Sequence, residues 1–159
     1  MDIPSGRATD RRQWKRVAAE CAAVNLRKTA RAVTQFFDEV LGPSGLRATQ
    51  FTVLVAVALA DPPTMTRIAR ALVMDPSTLT RDLRLLERAG MVKTAGGKDR
   101  RTRFVTVTPL GRDRLTAALP LWEQAQRQVV RRVGGSRWRE ILQELSAVQT
   151  LVRDSQGAS

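Results

Sequence analysis

The chain has 159 residues, of which 43% are hydrophobic, so it can form one domain with a core or a compact pair of subdomains. Its 27 Lys and Arg against 15 Asp and Glu give a formal net charge of +12, which favours a polyanionic partner: nucleic acid or an anionic membrane surface. It has no histidine and no tyrosine, which excludes histidine zinc sites, histidine general bases and Ser-His-Asp triads.

The expected location is the cytoplasm, in association with the nucleoid. No run of eighteen apolar residues predicts a transmembrane helix, and the polar first segment lacks the apolar core of a signal peptide. The single cysteine, Cys21, cannot form an internal disulfide. No pair of carboxylates, metal cluster or phosphate-binding glycine loop supports an enzyme, and neither a cofactor nor a bound metal is expected.

Hydrophobic periodicity predicts helices in the first half of the chain. Residues 1–10 are predicted to be disordered, and one long helical pattern then runs over 11–41, ending at the GPSG segment. A second helix, at about 47–60, is apolar nearly all round and is predicted to be buried. Two short helices follow at about 66–72 and 76–89.

The two short helices are separated by a tight turn, which predicts a helix-turn-helix unit. Asp75 is a good N-cap for the second of them, and Pro76 suits its first helical position. Leu79, Leu83 and Leu86 share one face of this helix, and the opposite face carries hydroxyls and arginines.

Segments 91–95 and 103–108 alternate in period two and predict the strands of a hairpin with a glycine-rich, basic tip. The last third is helical again: Pro120 is predicted to kink it, Gly134 and Gly135 to break it, and Ser136 to cap a final helix. Residues 155–159 are predicted to be a disordered tail.

The order helix, helix, strand, basic turn, strand is that of a winged helix-turn-helix. The second helix fits a major groove, and a basic hairpin can reach the neighbouring minor groove. From Pro76 to Arg103 there are eight Lys or Arg against three Asp or Glu, which leaves a net charge of +5 on one helix and one hairpin. The predicted fold class is therefore mainly α with a small β-hairpin wing.

Three segments together resemble successive signatures of the MarR family of bacterial and archaeal transcription regulators: GLRATQFTVL, TMTRIARALVMDPSTLTRDLRLLERAGMV and KDRRTRFVTVTPLGRDRL. The resemblance implies a homodimer, with a helical dimerisation domain at 11–45 and 109–154 and a winged helix-turn-helix at 46–108. It also implies a pseudo-palindromic operator in double-stranded DNA, usually bound by a repressor. Release would follow oxidation or the binding of a small aromatic, anionic or lipophilic effector.

The helix face and the resemblance together nominate a DNA-contacting set. The family's wing pattern Asp-x-Arg matches Asp99 and Arg101, which implies a minor-groove contact for Arg101 and an orienting role for Asp99. Arg47 departs from the family, which often has a capping Thr there, and a cation at a helix N-terminus is mildly unfavourable. The nominated residues are Thr66, Ser77, Thr78, Thr80, Arg81, Arg84, Lys98, Asp99, Arg100, Arg101 and Arg103.

Three further hypotheses come from the same sequence. The resemblance places an effector pocket between the two domains, where Phe51 or Trp122 could line it. Cys21 lies where one branch of the family has a peroxide-sensing cysteine, but that branch uses tyrosines, and a small buried hydrophobe is the favoured interpretation. The other alternative is a non-specific architectural DNA-binding protein.

Overall fold

The structure, a computed structural model, describes residues 6–97 and 102–157. In chain order their elements are α1 (Gly6–Glu20), α2 (Ala22–Leu41), a 3-10 turn (Gly42–Ser44), α3 (Ala48–Leu59), α4 (Met65–Leu72), α5 (Pro76–Arg88), β1 (Val92–Gly96), β2 (Arg103–Val107), α6 (Pro109–Val133) and α7 (Gly135–Gly157). The predicted fold class, mainly helical with a two-stranded wing, is confirmed.

The hydrophobic core lies within the winged helix-turn-helix. Helix α3 runs through its centre and contacts α2, α4, α5, α6 and β2, as its apolar composition predicts. The leucine face of α5 closes this core from one side, because Leu79, Leu83 and Leu86 are all buried. Val92 and Val105 add the inner face of the hairpin.

The hairpin is antiparallel, and its register pairs Val92 with Val107 and Thr94 with Val105. The outer edge of β2 is also paired, because the N–H of Val105 donates to the carbonyl of Pro63 at 2.8 Å. An isolated bridge between Thr64 and Phe104 extends this contact. The segment that precedes α4 therefore fixes the wing to the helix-turn-helix.

The predicted continuous helix over 11–41 is wrong in two respects. The chain is already helical from Gly6, and α1 and α2 are separated at Cys21, whose backbone is extended (ψ 117°). The side-chain amide of Asn25 donates to the carbonyls of Ala19 and Cys21, both at 3.0 Å. Its bond to Ala19 satisfies a carbonyl that a break in the helix would otherwise leave unpaired, whereas the carbonyl of Cys21 also accepts the backbone N–H of Asn25.

The C-terminal helices differ from the prediction in part. Helix α6 runs through Pro120 without a break, with Ala118 and Ala125 buried on either side of it, and the kink predicted at Pro120 stays a prediction. Ser136 is not a cap, because α7 begins at Gly135 and its first helical bond runs from the N–H of Trp138 to the carbonyl of Gly134. Gly134 has φ 94°, a conformation that favours glycine, so it turns the chain without a side-chain cap. Residues 155–157, predicted as tail, belong to α7.

Two polar contacts join α2 and α6 to the segment around the start of α3. Asp38 Oδ1 accepts a hydrogen bond from the N–H of Ala48 at 2.7 Å, and Arg114 Nη1 donates to the carbonyl of Ser44 at 3.3 Å. The N–H of Arg47 donates to Gln50 Oε1 at 2.9 Å. Asp38 thus supplies, from another helix, an acceptor for the first N–H of α3, whereas a capping Thr at position 47 would accept the N–H of Thr49 or Gln50.

In the part of the chain that the structure describes, no single helix is long and apolar enough to span a membrane. The pair Ala22–Ser44 and Ala48–Leu59 reaches that length and composition only when both helices are counted across a bend of 76°.

Candidate nucleic-acid interface

Local signals fix the start of α5, the helix predicted to enter DNA. Asp75 Oδ1 accepts the N–H of Ser77 at 2.8 Å and that of Thr78 at 3.4 Å, and the hydroxyl of Ser77 donates to the same carboxylate. These bonds lower the pKa of Asp75, with the Ser77 hydroxyl as the largest cause and the two backbone N–H groups next. The carboxylate therefore stays charged at neutral pH and holds the first turn.

The turn between α4 and α5 is tight because Val73 is left-handed, with φ 52° and ψ 43°. The N–H of Met74 donates a hydrogen bond to the carbonyl of Ala69 at 2.9 Å. Only one residue beyond the C-cap thus separates α4 from the cap of α5. A β-branched residue rarely adopts this conformation, so the turn carries backbone strain.

The outward face of α5 is basic. Ser77, Arg81 and Arg84 are exposed, while Thr78 and Thr80 are half-buried. The hydroxyl of Thr80 donates to the carbonyl of Pro76 at 2.7 Å, which leaves its lone pairs as acceptors toward solvent. The ion pairs seen among the described residues, Arg16–Glu20 and Arg127–Glu123, lie away from this face.

The structure brings predicted residues of α5 and the hairpin to one cleft. It has a volume of about 560 Å³, and Thr80, Arg84 and Arg103 line it together. Thr66 lies outside this cleft, exposed on α4 beside a smaller cavity next to Pro76. Lys98, Asp99, Arg100 and Arg101 lie outside the described residues, so the wing-tip contacts remain predictions.

Sequence reasoning missed one residue of this region. Glu87, in the last turn of α5, accepts the N–H of Thr94 at 3.0 Å through Oε1. Across the cleft, this bond joins the helix to β1. No sequence signal marks it, because a glutamate on the polar face of an amphipathic helix is otherwise ordinary.

Phe51 and Trp122, the two residues nominated for an effector pocket, lie against each other. Their rings are stacked, with centroids 6.5 Å apart and planes at 22°. A cavity of about 550 Å³ opens on one side of the pair, between α3, α4 and α6. It is largely apolar; Val55, Leu59, Leu119 and the single cation Arg67 are among its lining residues. A second cavity of about 240 Å³, lined by α2, touches the other side.

Cys21 lies at the break between α1 and α2 and is half-buried. Cys21 was predicted to share a buried apolar stripe with residues of the preceding helix. On α1 that stripe is not buried, because Trp14 is 68% exposed and Val17 is 54% exposed. Helix α1 contacts α2, and no described residue covers this apolar face.

Comparison with known proteins gives consistent matches. The model of the MarR family matches residues 44–102. An HTH-type transcriptional regulator of Bacillus subtilis, YwoH, itself uncharacterised, is 31% identical over 83 residues. That match covers 52% of this chain and 61% of YwoH.

Solved structures match over most of the chain. The transcriptional regulator MosR of Mycobacterium tuberculosis, in complex with DNA, is 33% identical with a TM-score of 0.79, covering 85% of this chain and 98% of MosR. Escherichia coli MarR bound to operator DNA is 20% identical with a TM-score of 0.74, covering 84% and 96%, a likeness of fold. The family model matches the winged helix-turn-helix, and the similarity to MosR extends over nearly the whole of that protein. The chain therefore belongs to the MarR family.

Proposed function

We propose that this protein is a sequence-specific transcription regulator that binds a pseudo-palindromic operator as a homodimer and acts as a repressor released by a small-molecule effector. One observation carries the DNA-binding part. Arg84 of α5 and Arg103 of the hairpin line the same cleft, and no described carboxylate lies within ion-pair distance of either. A duplex lying along α5 would meet both cations at once.

Similarity to a regulator that binds DNA also supports DNA as the partner of this protein. MosR, 33% identical to this chain, has been solved in complex with DNA. The net charge of +5 over residues 76–103 gives that partner a physical basis, because neutralised phosphates release counterions on binding. In the proposed complex Arg81 and Arg84 read base edges from the major groove, and Arg103 with the basic tip contacts the backbone or minor groove.

The dimer is supported by apolar side chains that a single chain leaves in solvent. Trp14 and Val17 on α1, and Leu142, Val148 and Leu151 on α7, are all exposed. Surface of this kind on terminal helices is typical of a subunit interface. We expect Leu142→Glu or Val148→Glu to give monomers in sedimentation and to lose operator binding, while Gln143→Glu, an exposed neighbour, keeps the dimer.

The effector site is the apolar cavity beside Phe51 and Trp122. Its volume of about 550 Å³ falls within the range of small-molecule pockets. Arg67 is the cation on its wall, so the proposed effector is an aromatic or lipophilic molecule, with an anionic group favoured. Quenching of the fluorescence of Trp122 by candidate compounds, in the Trp14→Phe and Trp138→Phe background, tests it, with Phe51→Ala as the variant that should lose the response.

The DNA-binding proposal is tested by footprinting on selected operator DNA. Arg81→Ala or Arg84→Ala should cost on the order of 1–3 kcal/mol against operator if the side chain reads a base bidentately. Arg103→Ala should weaken binding to all sequences and flatten the salt slope by about 0.9 for each lost phosphate. Arg127→Ala, which removes the same charge from an ion pair on α6, is the control.

The footprint also distinguishes a sequence-specific regulator from a non-specific architectural DNA-binding protein. A regulator protects a discrete palindrome whose half-sites lie about one helical turn apart. Uniform coverage, with Arg84→Ala and Arg103→Ala equal on every sequence, would instead indicate an architectural protein.

A further inference from the structure

The hairpin is hydrogen-bonded along both of its outer edges. In the middle of β1, Thr94 pairs with Val105, and the N–H groups of both residues point away from the hairpin. That of Val105 donates to Pro63, before α4, and that of Thr94 donates to the carboxylate of Glu87 on α5. Two different segments of the helix-turn-helix therefore hold the two strands.

On the α5 side, core packing and a single hydrogen bond hold the hairpin. Among the described residues, the Glu87–Thr94 bond is the one hydrogen bond that joins α5 to the hairpin strands. Beyond it, the hairpin faces the cleft of about 560 Å³, which Thr94, Gly96, Gly97 and Arg103 line from the wing side. Because side chains of the described residues leave this space open, apolar packing does not set how far the outer half of the wing stands from α5.

DNA binding alone would not favour an acid at this position. Glu87 lies on a helix and hairpin whose net charge is +5, and a carboxylate there repels the phosphates that the arginines attract. A charge-assisted bond to a backbone N–H is stronger than a neutral one, and the N–H at a strand edge has no sheet partner to compete for it. The hydrogen bond to Thr94 therefore accounts for a glutamate at position 87.

We propose that Glu87 is a positioning residue that fixes the angle between the wing and the recognition helix, so that Arg103 reaches DNA while α5 lies in the major groove. The DNA contacts in this statement rest on the proposed function. Glu87 itself acts through Thr94 and touches no base or phosphate.

Glu87→Gln and Glu87→Ala form a matched pair for the test. Both remove the negative charge, but only glutamine keeps an oxygen that can accept the Thr94 N–H. Hydrogen exchange of the Thr94 amide should stay near the wild-type rate in Glu87→Gln and become at least about tenfold faster in Glu87→Ala. Circular dichroism melting checks that both variants are folded.

Orientation is measured without DNA. Residual dipolar couplings of the hairpin and α5 amides should fit one common frame in the wild type and in Glu87→Gln, and two frames in Glu87→Ala. A common frame in all three proteins would overturn the proposal, whatever the DNA results.

Operator binding then tests the consequence. Glu87→Gln should bind at least as tightly as the wild type, and Glu87→Ala several-fold more weakly than Glu87→Gln. Adding Arg103→Ala should matter less in Glu87→Ala than in Glu87→Gln, because a displaced wing has less contact to lose. Equal affinity of the two variants would show that Glu87 acts through charge alone and would overturn the positioning role. If the wild type binds no sequence preferentially, the proposed function fails, and the couplings still decide the orientation.

Discussion

The carboxylate of Asp38, in α2, accepts a 2.7 Å hydrogen bond from the backbone N–H of Ala48, the first residue of α3. A side chain of one helix thereby caps the next helix and carries its negative charge to a positive helix end. Because α2 belongs to the helical flank and α3 to the winged helix-turn-helix, this one contact joins the two parts.

Replacing Asp38 should therefore destabilise the protein as the loss of a cap does. We expect Asp38→Ala to lower the free energy of unfolding by about 1 kcal/mol, and Asp38→Asn, which keeps an acceptor, by less. Urea unfolding at one fixed protein concentration measures both. Glu39→Ala, an exposed neighbour, is the control, and equal losses for Glu39 and Asp38 would contradict a cap.

Gly111 should tolerate no side chain. A Cβ there would lie 2.1 Å from the carbonyl oxygen of Met91 and 2.8 Å from Val107, so α6 or the start of β1 would have to move. Gly111→Ala should cost about 3 kcal/mol or abolish folding. Gly135→Ala, also in a helix but with nothing within 4 Å, should be neutral or stabilise by up to about 1 kcal/mol. Thermal melting of the pair decides it: equal melting temperatures would exclude the clash.

At Val73 we expect a substitution to stabilise the protein. Its left-handed backbone (φ 52°) is unfavourable for a β-branched residue, and its side chain is exposed and gives little packing in return. Val73→Asn should stabilise the protein by about 1 kcal/mol, since asparagine tolerates this region, and raise the melting temperature by about 2–4 °C. Ala71→Asn, exposed on α4, should not, and an increase there too would remove the backbone explanation.

The capping carboxylate of Asp75 predicts a dependence of stability on pH. Its folded pKa is lowered below the ordinary 3.8, first by the Ser77 hydroxyl and then by the N–H groups of Ser77 and Thr78. The unfolded state therefore takes up the proton first, so the stabilisation is present above the unfolded pKa and is lost as pH falls through the folded one.

Asp75→Asn removes that titration. We expect the wild type to be more stable than Asp75→Asn at pH 7, and the difference between their urea midpoints to shrink as pH is lowered from 5 toward 2. A difference that stays constant over this range would mean that the charge of Asp75 does not contribute. Asp61→Asn, with no such contacts to its side chain among the described residues, is the comparison.

Local signals predicted α5 best. The Asp75 cap, Pro76 in the first turn and the leucine face are all encoded within one short segment, and the structure places each as expected. The same holds for the hairpin: the alternation of apolar and polar residues predicted two strands, and the structure pairs them, with Val92 opposite Val107.

Contacts between distant elements could not be predicted in this way. The amide of Asn25 bonds across the break at Cys21, and hydrophobic periodicity does not register a break that leaves the hydrophobic stripe unchanged. Neither the Asp38–Ala48 cap nor the Glu87–Thr94 bond has a local pattern, because each requires a side chain from one element to meet a backbone N–H of another. The exposed cations of the candidate site could thus be nominated from the sequence, but the contacts that hold the hairpin against α5 could not.

The same two outer bonds of the hairpin have a consequence for solubility. A two-stranded sheet normally offers two open edges on which a strand of another molecule can pair and begin an aggregate. Here the central outward N–H of each strand, on Thr94 and Val105, is already bonded within the chain. A foreign strand would have to displace Glu87 or Pro63 before it could continue the sheet. The described strands of the wing are therefore protected at their centres against intermolecular β-pairing.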